Sequence, residues 1–193
     1  MESQTKVHEH HYFEKATEAL KHEHRIIERV LAALEKLTKS PGDIQLDLWE
    51  KAIDFIRNFA DKCHHLKEEG VLFPVLEEHG IPREGGPVGM MLVEHEEGRG
   101  YVRGMAAALS LAKRDPEAAR IALAEHARAY IRLLREHIAK EDQILFEMAD
   151  AELTAEEQKK ILKEFEEHEE REIGTGIHEK YLMIVEELEG RLS

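Results

Sequence analysis

Two stretches of this chain, His64–Phe73 and His137–Phe146, repeat the pattern His-x-x-x-Glu-x-x-x-Leu-Phe. On a helix, a spacing of four puts His and Glu on one face, one turn apart. Both faces are otherwise apolar. Ile53, Ile56, Ala60, Val71 and Val75 continue the first, and Leu123, Ala127, Tyr130, Leu134, Ile144 and Met148 continue the second. A buried, unpaired carboxylate is costly or shifts its pKa until it is neutral. A chain with two such faces must bring them to something that balances the charge.

The rest of the chain reads as helix. Apolar residues make up 42% of 193, enough for a core, with only five Pro and twelve Gly to interrupt it. The spacing predicts a first helix from about Val7 to Thr38, stopped by Ser40-Pro41-Gly42. A second runs from near Asp43 to about His79 and must tolerate Gly70 and Pro74, with a kink expected in its last turn. A third opens at Pro87 and reaches about Arg114. Asp115-Pro116 caps a fourth that reaches about Asp150. Thr154-Ala-Glu-Glu157 is a capping box for a fifth segment, broken at Gly174-Thr-Gly176 and resumed over Ile177–Leu188. The expected architecture is all-α: an up-down-up-down four-helix bundle over residues 1–150, with an additional C-terminal helical arm over 151–193 packing on it.

The seams of the first and third helices also carry one histidine each. They read Leu20, His24, Ile27, Leu31, Leu34 and Val88, Met91, His95, Gly98, Val102. Glu23-His24 and Glu94-His95 open the two halves, and a His-x-x-x-Glu follows each, so the bundle reads as two similar hairpins. With a rise of 1.5 Å per residue the four polar patches fall at similar depth. His-x-x-x-Glu alone is a weak signal in a Glu-rich chain. The other instances, at His10, His24, His65 and His168, do not put both members inward on a seam. His65 and Glu69 compete in register with His64 and Glu68; alignment of the repeat on Leu-Phe selects the latter and leaves His65/Glu69 as a supporting or surface pair. Four imidazoles and two carboxylates at one level are balanced by cations. Two divalent ions bring +4 against −2, leaving room for an oxo, hydroxo or similar anion.

The order His, HxxxE, His, HxxxE, with "CHHLKEEGVLFPVLEEHG", "MMLVEHEEGRG" and "REHIAKEDQILF", resembles the hemerythrin-like HHE cation-binding proteins over about residues 16–150. The resemblance implies a four-helix bundle around two iron ions, a non-haem di-iron centre with an oxo or hydroxo bridge, that binds dioxygen or a related ligand. Carried across, the metal ligands are His24, His64, Glu68, His95, His137 and Glu141. The oxygen-carrying members use five histidines and two bridging carboxylates, whereas the seams here offer four histidines. The arm "GIHEKYLMIVEEL" resembles a tail of one prokaryotic branch. Either it only packs, through Leu182, Val185 and Leu188, or it also brings His178 or Tyr181 to the site as a further nitrogen or phenol donor.

Each residue has a plainer reading. His24 or His95 alone would be a satisfied core histidine. Glu23 and Glu94 either hold the second nitrogen of a ligating imidazole or face solvent. Tyr130 is packing, or else donates to a bound ligand. His8, His10 and His11 belong to a solvated start, His79 and His126 to the surface, and the run Glu164–Glu172 to a solvated face. Cys63 is a small buried hydrophobe; a single cysteine excludes an internal disulfide and points to a reducing compartment. No secretory apolar region is found in Met1–His11, so the protein is expected in the cytoplasm. A net charge of −14 argues against a nucleic-acid partner, and no apolar run approaches the roughly 20 residues of a membrane span. Small molecules (O2, peroxide or NO) remain as the partners, bound and in one reading reduced. The alternative is a metal-binding protein for storage, buffering or sensing without turnover.

Overall fold

The computed structural model describes residues 13–172 and 177–192, and the regular structure among them is helical throughout. Helix α1 spans Ala16–Lys39. Helix 46–78 is continuous but changes its winding: α2 (Leu46–Phe55), a π-helical stretch π1 (Ile56–His65), a second, π2 (Glu68–Leu72), then α3 (Phe73–Glu78). Helix α4 is Pro87–Leu111. Helix 116–152 changes likewise, through α5 (Pro116–Lys140), π3 (Glu141–Leu145) and α6 (Phe146–Glu152). Helices α7 (Ala155–Glu172) and α8 (Ile177–Arg191) complete the chain. No helix among the described residues is long and apolar enough to cross a membrane.

The boundaries follow local chemistry. The first helix starts at Ala16 rather than Val7. Residues 13–15 are not helical, the Lys15 N–H is taken by Glu18 Oε2 at 3.3 Å, and the Ala16 N–H by Gln158 Oε1 at 2.9 Å. Residues 1–12, with His8, His10 and His11, and the break at 174–176 lie outside the described residues. Gly80 ends helix 46–78 at φ +84°, a conformation open to glycine; the Gly80 and Ile81 N–H groups return to Glu77 and Leu76 O at 3.0 Å each. Asp115 accepts from Ala118 N at 3.0 Å with Pro116 in the first turn. The expected capping box forms: Thr154 N donates to Glu157 Oε2 at 2.8 Å, and Glu157 N to Thr154 Oγ1 at 3.3 Å.

The π turns have a sequence cause. Positions 64, 68, 72 and 137, 141, 145 are spaced by four, whereas an α-helix turns in 3.6, so each step of four overshoots the seam by about 40°. A wider turn cancels the drift. In helix 46–78 the buried residues accordingly recur every four in groups of two or three: Phe55-Ile56, Phe59-Ala60, Cys63-His64-His65, Lys67-Glu68, Val71-Leu72-Phe73. The hydrogen bonds show the widening. Phe73 N reaches back five residues to Glu68 O, and Phe146 N does the same to Glu141 O. Pro74, which has no N–H to give, follows the first of these at once. π turns are rare and concentrate at functional sites. The plain α-helices expected for these two segments are corrected here, and that correction alters the site.

Packing isolates one polar layer. A large apolar cluster gathers Ile27, Leu31, Trp49, Phe59, Met105, Leu134 and their neighbours; a second gathers Leu20, Leu72, Phe73, Met91, Leu145, Phe146 and Phe165. Each of the four long helical segments crosses from one cluster to the other, and between them lie His24, His64-His65-Glu68, His95 and His137-Glu141. Helix α1 contacts α2 and α5, and α4 contacts α2 and α5. Helix α7 lies against α1, π1 and π2, and α8 against α1 and α2.

Candidate metal centre

All six residues singled out in the sequence are buried, and their side chains converge. Ligand atoms of His24, His64, Glu68 and Glu141 lie within 4.8 Å of one another, as do those of His65, Glu68, His95 and His137. Glu68 belongs to both groups, with Oε1 3.5 Å from His64 Nε2 and Oε2 3.5 Å from His95 Nε2. Glu141 also spans them: Oε2 is 3.2 Å from both His24 Nε2 and His137 Nε2, and Oε1 is 4.0 Å from His95 Nε2. Two histidines thus stand on one side and three on the other, with two carboxylates between.

His65 is the residue that sequence reasoning misplaced. Expected in a supporting or surface role, it is 4% exposed, with its ring stacked on His95 at 3.9 Å between centroids. In an α-helix adjacent residues diverge by about 100°, so a pair can share a buried face, as Glu23-His24 does in α1, but the buried triplet Cys63-His64-His65 would span about 200°. The wide turn of π1 brings both into the layer. Its partner in that pair, Glu69, does take a supporting place: it accepts from His95 Nδ1 at 2.8 Å.

Every other imidazole of the layer has its second nitrogen held by an acid, and the holders obey the internal repeat. His64 Nδ1 is 2.9 Å from Glu23 and His137 Nδ1 is 3.0 Å from Glu94. His24 Nδ1 is 2.7 Å from Asp142 and His95 Nδ1 2.8 Å from Glu69. Such bonds fix the tautomer and aim the opposite nitrogen at the centre. Each acid is in turn bound by a cation: Lys67 on Glu23, Lys140 on Glu94, Arg25 on Asp142, Arg99 on Glu69. Sequence reasoning passed over the two lysines, though the signal was present. The repeat is His-x-x-Lys-Glu followed by an acid, at His64–Glu69 and His137–Asp142.

The halves differ in burial. Lys140 keeps 31% of its side chain exposed, whereas Lys67 is sealed under α7, 3.5 Å from Glu169 Oε2 and 5.8 Å from the centre of the Phe165 ring. Burial opposes the charge on Lys67, but Cys63, Glu23 and Glu169 raise its pKa overall. Burial, with the nearby Glu23 and Glu169, pushes the Cys63 thiol up, which fits a packed side chain.

The two C-terminal candidates stand elsewhere. Tyr181 donates to Asp54 Oδ2 at 3.3 Å, and the His178 ring lies 5.2 Å from that of Phe59; neither joins the two groups of converging ligand atoms. Tyr130 is buried two turns before His137, in the wall of a cavity beside the layer.

The residues present fit divalent cations. Among the described residues, His24 Nε2, His64 Nε2 and all four carboxylate oxygens of Glu68 and Glu141 are buried without a hydrogen-bond partner, a costly state unless a cation supplies the missing contacts. Charge is unevenly held by the side chains alone. Burial and the facing Glu141 push Glu68 well above the usual carboxylate range. Burial also acts against Glu141, yet His137 and His24 hold it well below that range. Burial carries His64 down to about 3, and lowers His65 and His95. His137 resists burial through Glu141 and Glu94 and rises to about 9.

A helical protein with a buried layer of imidazoles and carboxylates, backed by acids, has the donor set of a metal site. Residues 15–149 match the family described as the hemerythrin HHE cation binding domain, and the chain belongs to that family. It is similar to an uncharacterized protein of Mycobacterium bovis and to uncharacterized proteins of two Mycobacterium tuberculosis strains, each 30% identical over 162 residues. The match covers 82% of this chain and 63% of each relative, so the chain spans under two thirds of their length. No solved structure matches the chain.

Proposed function

We propose that the protein holds two iron ions between His24, His64 and His65, His95, His137, with Glu68 and Glu141 shared, and uses them to bind a small oxidant (O2, peroxide or NO). The observation that carries this reading is the set of unpartnered buried atoms on His24, His64, Glu68 and Glu141, facing one another across the layer. Five imidazoles and two carboxylates equal the donor set that the carrier members of the family use. Bound iron would supply redox chemistry and positions open to an exogenous ligand. The chain's own part is to orient: Glu23, Glu94, Glu69 and Asp142 fix the four imidazoles they hold, and the apolar clusters on either side keep bulk water away.

Further features support the setting. The ring of contacts among α1, α2, α4 and α5, and the crossing of each segment from one apolar cluster to the other, support an up-down-up-down bundle over 1–150 with α7 and α8 as an added arm. A cytoplasmic location fits the buried, unreactive Cys63. The net charge of −14 fits a protein without a nucleic-acid partner.

The test is elemental analysis with visible absorption spectroscopy of protein from iron-replete cells. The expected result is about two iron atoms per chain, because seven inward donors exceed what one ion with open positions takes, and a visible spectrum that responds to O2, peroxide or NO. One metal or fewer per chain at full occupancy would sink the proposal.

A further inference from the structure

The five inward imidazoles are not held alike. His24, His64, His95 and His137 each have Nδ1 within 2.7–3.0 Å of a carboxylate, from Asp142, Glu23, Glu69 and Glu94 in turn. Bonds of that kind fix the ring and its tautomer. His65 lacks one. Its Nδ1 is buried without a hydrogen-bond partner, 3.6 Å from Asp61 Oδ1, which already accepts from Arg99 at 2.8 Å. What keeps the ring in the layer is its stacking on His95, at 3.9 Å and 13° between planes.

The winding beneath His65 is also particular to it, and the internal repeat supplies the comparison. Its counterpart after His137 is Ile138. There the helix stays α through Lys140, the Glu141 N–H returns four residues to His137 O, and Ile138 is buried in the large apolar cluster. In the first half π1 runs through His65, and the Leu66 N–H reaches back five residues to Asp61 O. Position 65 therefore faces the layer when the turn is wide and the apolar cluster when it is wound as in the second half. Room for the ring to move lies beside it. A cavity of about 150 Å³ has His65 and His95 in its wall and reaches the surface at the exposed Arg57 and Arg103. π turns concentrate at functional sites, and this one carries the single unanchored imidazole of the layer.

We infer that His65 is a detachable ligand: it closes the three-histidine side behind an incoming metal ion and is the first to leave, swinging toward the cavity as π1 rewinds to α. The inference rests on the reading of the layer as a metal centre, but not on which metal it holds. The four imidazoles that obey the repeat are the permanent set, each anchored by its acid. With His65 away, His95 and His137 remain in place on Glu69 and Glu94, and the position that His65 vacates faces the cavity. Metal enters and leaves the three-histidine side by that route.

Labelling of imidazoles with diethyl pyrocarbonate, read by tandem mass spectrometry that separates His64 from His65, gives the test. The full chain is loaded with iron(II), and in parallel with zinc(II), which has no redox chemistry, and is labelled while a graded chelator withdraws the metal. His65 should take the label before His24, His64, His95 and His137, in step with loss of the first ion. His65→Ile, which installs the side chain of the counterpart position, should keep its helical circular dichroism and the ion on His24 and His64, and release the other ion at lower chelator than the unmodified chain. Label reaching His65 together with or after His95 and His137, or the first ion leaving both chains at the same chelator concentration, would overturn the inference. Metal content separates the two readings. Early labelling of His65 in the zinc-loaded chain, with one iron or fewer retained in the other, sinks the di-iron reading and leaves this one standing. Two irons whose removal labels all five histidines at once does the reverse.

Discussion

Lys67, wholly buried, donates to Glu23, whose other oxygen lies 2.9 Å from His64 Nδ1. A cation from one helix thus holds the acid of another, and that acid holds an inward imidazole. The same chain recurs as Lys140–Glu94–His137, nearer to solvent. The pair offers a comparison within one molecule.

Lys67→Met should destabilise the protein by about 3–5 kcal/mol, because it removes the buried cation that balances the charge of Glu23. Lys140→Met should cost about 1 kcal/mol or less, since that pair is partly solvated. Chemical denaturation of the two variants decides it. Equal losses would show that the seal made by α7 has no energetic consequence.

His64→Ala and His65→Ala should both lose iron, one from each side of the centre. Glu69→Gln, which only weakens the hold on His95, should lower metal affinity by about 10–100-fold. Metal analysis after dialysis against a graded chelator measures all three. Full retention by His65→Ala would mean that its buried ring is merely stacked on His95.

Removing the metal should lower the melting temperature. Ions bound only to the folded chain add about 4 kcal/mol at a thousandfold excess over Kd. The stripped protein also keeps the unpartnered atoms of Glu68 and Glu141 in an apolar surround. The helices should persist, because the two apolar clusters do not depend on the layer. Calorimetry with circular dichroism compares the two forms, and equal melting temperatures would remove the case for a buried metal layer.

Metal loading should release protons at pH 7. His64, lowered to about 3, is already neutral and ready to ligate, and His65 and His95 are shifted the same way. His137, raised to about 9, still carries a proton, and Glu68 is raised well above its usual range. A proton that must leave competes with the metal. Apparent affinity should therefore rise as the pH is raised from about 7 toward 9 and flatten beyond it. Proton release into weak buffer, followed with an indicator dye, checks this; loading without release at pH 7 would contradict the assignment of His137 as a ligand.

Much of the site is legible in the amino-acid sequence. The repeated His-x-x-x-Glu-x-x-x-Leu-Phe and the two seam histidines name His24, His64, Glu68, His95, His137 and Glu141, because a helix converts spacing directly into facing. Caps are equally local: Asp115 and Thr154 act on N–H groups within three residues of themselves. The supporting lysines are legible too, as the fourth letter of the same repeat, but the role of Lys67 as a buried cation is not. That role depends on Glu23, 44 residues away in sequence, and on the cover provided by α7.

His65 marks the boundary between the two kinds of information. Sequence alone placed one histidine of the pair inward, His64, because the Leu-Phe repeat aligns it with His137. Only the tertiary structure decided that both do. A spacing of four cannot stay on a 3.6-residue seam without wider turns, and those turns fall where helix 46–78 packs against α1, α4 and α7. The periodicity of a chain determines which residues are candidates for a site; the winding of the packed helix decides which of them reach it.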